Sequence, residues 1–239
     1  MATKPVEPTG LSLVDGLAGL SPPTIEDYCK AAAEYIRQAT VVGSAKRKAA
    51  QIRLSNALAV ITVADLERHG LDLALAFAGE RDVGGGLRTV KADVSEMSDS
   101  DGLRLAVEIK PVHLAVGRAI WNRFGDVRTF AVNMHLKFPF AVVGGILTLP
   151  TTERLTSGND LQWKSTAHLV SRAVGRLVRA GGRRTEGDAP HLLEGIAVVA
   201  FDRETGAIDS ELPPQGSGLR WEEFIVTMAD AYQSRFGDF

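Results

Sequence analysis

The chain has 239 residues, of which 45% are hydrophobic and 23% charged, and its net charge at neutral pH is −2. These values are typical of a soluble globular protein with a sizeable core, and the charge does not by itself indicate nucleic-acid binding. The sequence shows no signal peptide, membrane-spanning run, zinc-ligand spacing or glycine-rich phosphate loop. Its single cysteine, Cys29, excludes an internal disulfide and agrees with a reducing compartment. We therefore expect a cytoplasmic protein without membrane contact.

The first predicted elements are an arm and two helices. Residues 1–23 are rich in glycine, proline and leucine, which predicts an arm that is either disordered or exchanged with a partner subunit, ahead of a single domain over 24–239. Thr24 is a capping residue for a helix that runs to about Gln38. A second helix is predicted over 44–68, where apolar residues recur at helical spacing.

Three β-strands are predicted next. Residues 71–78 form a short apolar run, and three successive glycines at 84–86 indicate a flexible turn. The segments 89–94 and 103–110 also have strand composition. Because a turn-rich stretch separates these two segments, we expect them to pair as an antiparallel hairpin.

A helix and a buried strand are expected after the hairpin. Pro111 stands where a helix can begin. The apolar residues at helical spacing are Ile120, Phe124, Val127, Ala131 and Met134. Gly125 interrupts this pattern, so the helix is expected to bend or break there. Residues 138–149 form an apolar run that is too short to span a membrane and is best interpreted as a buried strand.

The last predicted elements are two helices and one strand. A helix is expected from about Asp160 to Ala180, an apolar strand over 192–201, and a C-terminal helix over about 219–236. An apolar stripe on the C-terminal helix consists of Trp221, Phe224, Ile225, Met228 and Tyr232. This stripe either caps the protein's own core or forms an interface with a second subunit.

The most informative residues are Asp93, Glu108 and Lys110. Side chains two positions apart on a strand point to the same face, so Glu108 and Lys110 share a face, and hairpin pairing brings Asp93 beside Glu108. The run before them is apolar, as expected of a central strand, where charges are costly to bury unless they are paired. The alternative is a solvated Glu/Lys pair on an edge strand.

This arrangement suits a divalent metal ion held against a phosphodiester. Mg²⁺ prefers oxygen ligands and is usually held by one or two carboxylates together with water and substrate phosphate. Asp93, one oxygen of Glu108 and the backbone carbonyl of Ile109 can supply the protein ligands, with Mn²⁺ as a substitute ion. Lys110 can then steady the attacking water or the charge that builds on phosphorus. The pattern indicates a metal-dependent nuclease.

The segment resembles the catalytic core of the PD-(D/E)XK nuclease superfamily. Asp93 matches the first acidic position of the family motif, and Glu108, Ile109 and Lys110 match its second half, whereas the proline that often precedes the aspartate is Ala92 here. The predicted order of elements over about 45–202, α-β-β-β-α-β-α-β, is also similar to that of the family. The resemblance implies an α/β fold in which helices flank a mixed central sheet, as in restriction endonucleases.

The resemblance further implies a function. We expect a Mg²⁺-dependent endodeoxyribonuclease that hydrolyses phosphodiester bonds in double-stranded DNA, similar to type II restriction endonucleases. A palindromic target cut on both strands calls for a homodimer with two-fold symmetry. The alternatives are a repair or recombination nuclease that recognises DNA structure, and a non-catalytic nucleic-acid-binding or assembly module that keeps the fold.

Two basic clusters are candidates for DNA binding. The first lies on one face of the predicted helix over 160–180 and in the loop after it: Arg172, Arg176, Arg179, Arg183 and Arg184. The second, Lys46, Arg47 and Lys48, lies at a helix start, where positive charges oppose the macrodipole. Both clusters can follow a phosphate backbone, and both can equally be solvated helix faces.

Three further residues are possible auxiliaries of the metal site. His113 follows the motif directly and can contact a phosphate or a metal-bound water, although a lone histidine there can also be structural. Glu34 and Glu67 lie on the N-terminal helices, and members of the resembled superfamily often place one more acid on a helix before the core. Nothing in the sequence selects between these two acids, and both can be surface charges.

Overall fold

The computed structural model describes residues 10–154 and 163–237. Its α-helices are α1 Ser12–Gly16, α2 Ile25–Gln38, α3 Ser44–Arg68, α4 Val116–Lys137, α5 Ala167–Leu177 and α6 Trp221–Phe236. Its strands are β1 Ala76–Gly84, β2 Thr89–Ser98, β3 Gly102–Pro111, β4 Val142–Pro150, β5 Thr152–Arg154, β6 Trp163–Ser165 and β7 Gly195–Phe201. Short 3₁₀ turns follow α1 and α5.

A five-stranded mixed sheet in the order β1-β2-β3-β4-β7 forms the centre of the molecule. The first three strands are antiparallel, and β3, β4 and β7 are parallel. Val107 of β3 pairs with Val94 of β2 on one side and with Gly144 of β4 on the other. β5 and β6 form a separate two-stranded hairpin. The protein is therefore of the α/β class, as the sequence predicts.

Helices cover both faces of this sheet. The core on one face contains side chains of α1, α2, α3 and α6, and the core on the other face contains side chains of α4 and α5. Every residue of β4 and β7 is buried. Parallel strands covered on both faces have continuous apolar sequences, and the runs at 138–149 and 192–201 have this composition for that reason.

Several element boundaries follow directly from local sequence. Thr24 caps α2 in a capping box with Asp27, whose carboxylate accepts from the Thr24 N–H at 3.1 Å. α3 spans the predicted range. The predicted apolar stripe of α6 is buried in the protein's own core, so it does not provide a subunit interface.

Other boundaries differ from the prediction. β1 begins at Ala76 instead of Leu71, because Leu71 and Leu73 are buried in an irregular segment that precedes the strand. β3 continues through Pro111, and the helix begins only at Val116. α4 passes Gly125 without a break, because a side chain there would meet open space and a solvated glycine costs a helix only about 1 kcal/mol.

The predicted helix over 160–180 begins later than expected. Ala167 is its first α-helical residue, because β6 occupies the chain before it. The predicted start at Asp160 lies outside the described residues. Of the predicted arm, residues 10–23 include α1, and its buried side chains pack in the core of α2 and α3. No helix in the described part of the chain is long and apolar enough to cross a membrane.

Candidate active site

The structure brings Asp93, Glu108 and Lys110 together at one groove. Asp93 lies on β2, one residue before the Val94–Val107 pair, and Glu108 and Lys110 lie on β3. All three line an open cavity of about 600 Å³, whose other wall is α4. β3 lies in the middle of the sheet, between β2 and β4. The alternative of a solvated Glu/Lys pair on an edge strand is therefore wrong.

Local hydrogen bonds hold the three side chains in place. The Asp93 Oδ2 accepts from the backbone N–H of Ile109 at 2.7 Å, which links the two strands at the site. The Lys110 ammonium forms an ion pair with the Glu108 carboxylate. Glu108 is only 7% exposed, so this pair lies at the bottom of the groove.

Burial raises the pKa values of both carboxyl groups, because it disfavours their ionised forms. It raises the pKa of Asp93 above its ordinary value, although the Ile109 N–H and Lys110 act in the opposite direction. Burial also raises the pKa of Glu108 to about 7, against the effect of Lys110 and with a further contribution from the charge of Asp93. Two ionised carboxylates beside one lysine carry one net negative charge, which favours binding of a cation.

The residues present fit a magnesium ion held partly by water and substrate. Among the described residues, no three histidine, cysteine, aspartate or glutamate side chains are close enough to share a metal ion. Asp93 and Glu108, which contact each other, are the pair of carboxylates that can share an ion at the centre of the groove. Mg²⁺ in phosphate-processing sites is commonly bound by one or two carboxylates and completes its shell with water and phosphate oxygens.

The groove contains charged side chains that the sequence analysis did not identify. Glu80 and Asp82 line it from β1, Lys91 from β2, and Arg123 and Asp126 from α4. Asp126 also raises the pKa of Glu108, though less than burial does. Glu80 and Asp82 are two positions apart, which on a strand places both on one face, but the predicted first strand ends at residue 78, before Glu80. On α4 the spacing of apolar residues predicts only the buried face of the helix.

His113 lies in the core and not in the groove. Its Nε2 is 3.1 Å from the Tyr28 hydroxyl and 3.2 Å from the Thr148 hydroxyl. Complete burial among aromatic side chains lowers its pKa to about 4 and keeps the imidazole neutral. The structure thus agrees with a structural role for this histidine.

Neither N-terminal acid reaches the groove. Glu34 is buried, and its carboxylate accepts from the Ser12 hydroxyl and from the N–H groups of Leu13 and Val14, so it caps α1. Glu67 is exposed near the end of α3. Both helices pack on the face of the sheet opposite the one covered by α4. Neither acid is available to the pair formed by Asp93 and Glu108.

The predicted basic stripe is partly formed. Arg172, Arg176 and Arg179 are exposed, whereas the apolar face of α5 is buried, as predicted. The guanidinium groups of Arg172 and Arg176 lie 5.8 and 4.3 Å from the ring centre of Trp121 on α4. These arginines do not line the groove. The stripe and the groove lie on different sides of α4.

Arg183 does not belong to this stripe. It is 3% exposed, and its guanidinium bonds to the buried carboxylate of Glu194 at 3.1 Å. His135 and Arg235 contact the same carboxylate at 3.2 and 2.8 Å. A buried arginine needs such partners, so this residue stabilises the fold and is not accessible to DNA. Arg184, the next residue, is exposed.

The second basic cluster lies at the start of α3. Lys46 and Lys48 are exposed, and Lys46 lines a cavity of about 710 Å³ beside α1. Arg47 is half-buried and donates to the carbonyl of Ala39 at 3.2 Å. This cluster therefore packs beside the face of the sheet opposite the groove and is not part of the groove wall.

Comparison with known proteins returned no match. No family model matches the chain, and neither the curated proteins nor the solved structures include a similar one. The resemblance carried by Asp93, Glu108 and Lys110 therefore stays a prediction. The geometry and charge of the groove are the basis on which a function can be proposed.

Proposed function

We propose that this protein is a metal-dependent nuclease that hydrolyses phosphodiester bonds in DNA, with a core like that of the PD-(D/E)XK superfamily and of restriction endonucleases. One observation carries the proposal: a buried carboxylate, a half-buried carboxylate and a lysine meet in an open groove at the centre of a mixed sheet. An acidic pair with raised pKa values is costly to the fold and is characteristic of functional sites.

The order of elements supports the same proposal. α3, β1, β2, β3, α4, β4, α5 and β7 follow one another in the order expected of a restriction-endonuclease-like core, with the small β5–β6 hairpin inserted. The antiparallel hairpin that carries the three residues and the parallel strands after it agree with this architecture. Fold and site thus point to the same class of enzyme, although a fold alone does not determine a function.

Each residue of the site has a role in this proposal. Asp93, Glu108 and the carbonyl of Ile109 bind Mg²⁺ or Mn²⁺, which when bound polarises the phosphate and activates water. The Ile109 N–H fixes the orientation of Asp93 through one carboxylate oxygen, and the carboxyl group also contacts Glu108. Lys110 moves from Glu108 to the attacking water or to the phosphate oxygen that gains charge.

DNA contacts outside the groove complete the proposal. Arg172 and Arg176 on α5 and Arg179 in the 3₁₀ turn after it present exposed positive charge, and Lys46 and Lys48 do so at the start of α3. Such residues contribute affinity without sequence preference, because they neutralise phosphates and release counterions. A homodimer would supply the two active sites needed to cut both strands.

Incubation with plasmid DNA and Mg²⁺ tests the catalytic assignment. Because each group holds the metal or stabilises charge in the reaction, we expect Asp93→Ala, Glu108→Ala and Lys110→Ala to lower the cleavage rate by about a hundredfold or more. Glu67→Ala and Lys30→Ala are matched controls, since both residues are exposed on helices behind the other face of the sheet. These two should cleave at the wild-type rate.

Metal binding separates the roles of the three residues. Removing either carboxylate should weaken Mn²⁺ binding measured by calorimetry, whereas Lys110→Ala should retain it and lose only the chemical step. Circular dichroism checks that each variant is folded. Metal-dependent cleavage that survives Glu108→Ala would contradict the proposal.

A further inference from the structure

The turn between β1 and β2 is docked rigidly on α4. The Gly85 N–H donates to the Arg88 carbonyl at 3.0 Å and closes the turn. Asn133 of α4 accepts twice from this turn, through its backbone carbonyl from Gly86 at 2.7 Å and through its side chain from Arg88 at 3.2 Å. Asn133 is 1% exposed, and its amide also donates to the Thr129 carbonyl at 2.9 Å. The glycines predicted to form a flexible turn thus lie in a turn that is hydrogen-bonded to α4.

The glycines in this turn are required for close approach to the helix. A Cβ on Gly86 would lie 2.5 Å from the Cβ of Leu136, and one on Gly85 would lie 2.9 Å from the Cβ of Asn133. Neither neighbour can yield easily, because both contacts involve atoms next to the helix backbone. The turn can dock only if both positions lack side chains.

The docked turn presents an exposed leucine between positive charges. Leu87 is 69% exposed, and Leu136 beside the turn is 51% exposed. Arg88 and Lys137 are exposed next to these two residues, and neither forms an ion pair with any residue that the structure describes. Arg88 also lines the groove that contains Asp93 and Glu108. An apolar tip at this place contributes nothing to the protein's own core.

We propose that this turn is a DNA-contacting element of the active site, in which Arg88 binds a phosphate of the strand to be cut and Leu87 wedges against a base step of the duplex. Proteins that bind duplex DNA in the minor groove insert leucine and similar side chains between bases beside arginines and lysines that contact the backbone. The apolar tip, the exposed Arg88 and the continuity with the groove match this pattern. The inference rests on the proposed function, because it takes DNA as the substrate of the groove.

Binding to a fluorescent duplex, measured without divalent metal so that nothing is cleaved, tests the phosphate contact. We expect Arg88→Gln to weaken binding by about threefold to tenfold, and to reduce the slope of log affinity against log salt by about 0.9, the value for one lost phosphate contact. Arg81→Gln is the matched control, since Arg81 is exposed on β1 but does not line the groove. It should leave affinity and slope unchanged.

A duplex that contains 2-aminopurine tests the wedge, because this base becomes brighter when it is unstacked. We expect the wild type and Leu75→Ser to raise the fluorescence on binding, and Leu87→Ser to lose most of that rise. Leu75 is a matched control, since it is 61% exposed just before β1 and outside the groove. Gly86→Ala retains Leu87 and Arg88 but must displace the turn, so it should weaken binding as much as Arg88→Gln does.

The inference would be overturned if Arg88→Gln bound DNA with the same affinity and the same salt slope as Arg81→Gln. It would also be overturned if Leu87→Ser kept the full rise in fluorescence. Preference for single-stranded DNA or RNA over the duplex would also overturn it, because neither offers a stacked duplex step. If the wild type cleaves DNA with Mg²⁺ and Arg88→Gln binds DNA as tightly as the wild type, this inference alone is contradicted. Loss of binding in Arg88→Gln without any Mg²⁺-dependent cleavage by the wild type would count against the proposed nuclease activity alone.

Discussion

At the scale of single residues, two buried glutamates show what distinguishes a structural charge from a candidate functional one. Glu194 is surrounded by donors, and although burial raises its pKa, the contacts with His135, Arg235 and the Val143 N–H hold that pKa below its ordinary value. Glu108 has Lys110 as its ion-pair partner and the acidic Asp93 beside it, and burial raises its pKa to about 7. The positive charge of Lys110 therefore does not fully compensate the ionised form of Glu108, as expected where a cation binds.

This difference predicts how stability depends on pH in the absence of metal. The pKa of Glu108 is about 7 in the folded protein against an ordinary value of 4.5. Its contribution to stability is therefore fully present below about pH 4.5 and is lost as pH rises through about 7. Urea denaturation in the presence of a chelator measures this effect. Between about pH 4.5 and pH 8, we expect the free energy of unfolding of the wild type to fall by on the order of 1–3 kcal/mol relative to that of Glu108→Gln.

Mg²⁺ supplies the control for this experiment. The ion binds the ionised carboxylates, so it should stabilise the wild type at about pH 8 and have little effect at about pH 5. Glu108→Gln should respond weakly at both values. Parallel pH profiles for the two proteins would show that Glu108 titrates as an ordinary exposed carboxylate.

At the scale of elements, α4 separates the groove from the exposed arginines that follow it on α5. Arg123 lies on the groove side of this helix, whereas Trp121 faces α5 and carries Arg172 and Arg176 over its ring. Cation–π contacts hold guanidinium groups in place at little cost, because each group keeps most of its solvation. Arg172 and Arg176 are thus held in place over Trp121, on the side of α4 away from the groove.

We expect the basic stripe to contribute phosphate contacts. If Arg172, Arg176 and Arg179 each bind one phosphate, replacing all three by glutamine should lower the salt slope of DNA binding by about 0.9 for each contact, with similar effects on unrelated duplex sequences. Fluorescence anisotropy over a salt series measures this slope. Lys30→Gln on α2 is the control for charge loss on the other face of the sheet. A slope that stays constant in the triple variant would identify the stripe as a solvated helix face.

At the scale of the whole molecule, the five-stranded sheet and its groove provide one candidate active site in the described part of each chain. α6 does not serve assembly, because its apolar stripe is buried and Arg235 at its end donates to the Ala141 carbonyl at 2.9 Å. Any subunit interface must therefore use other surfaces. The β1 edge of the sheet is one such surface, since unpaired edge strands readily pair with another chain.

We predict a homodimer, because two-fold symmetric cleavage of both strands needs two active sites related by a two-fold axis. Sedimentation velocity of the full chain, alone and on duplex DNA, checks this expectation. Plasmid cleavage gives an independent result, since a dimer should linearise plasmid whereas a monomer should nick it. A monomer in both states that only nicks plasmid would rule out the homodimer.

Local information in the sequence determined the class of the fold and the order of its elements. Helix spacing and capping placed α2 and α3, and apolar runs placed β4 and β7. Period-two alternation predicted that Glu108 and Lys110 share a face and that Asp93 lies beside Glu108, since strand geometry and hairpin pairing depend on neighbouring residues.

Only the tertiary structure decided which of the other polar residues belong to the groove. Arg183 and Arg176 occupy equivalent positions in the sequence pattern, yet one is buried against Glu194 and the other is exposed. Asp126 and Arg88 join the site because α4 and the β1–β2 turn pack together through Asn133. Such contacts join segments that are far apart in the chain, and the charge environment that they create depends on burial, which no local pattern specifies.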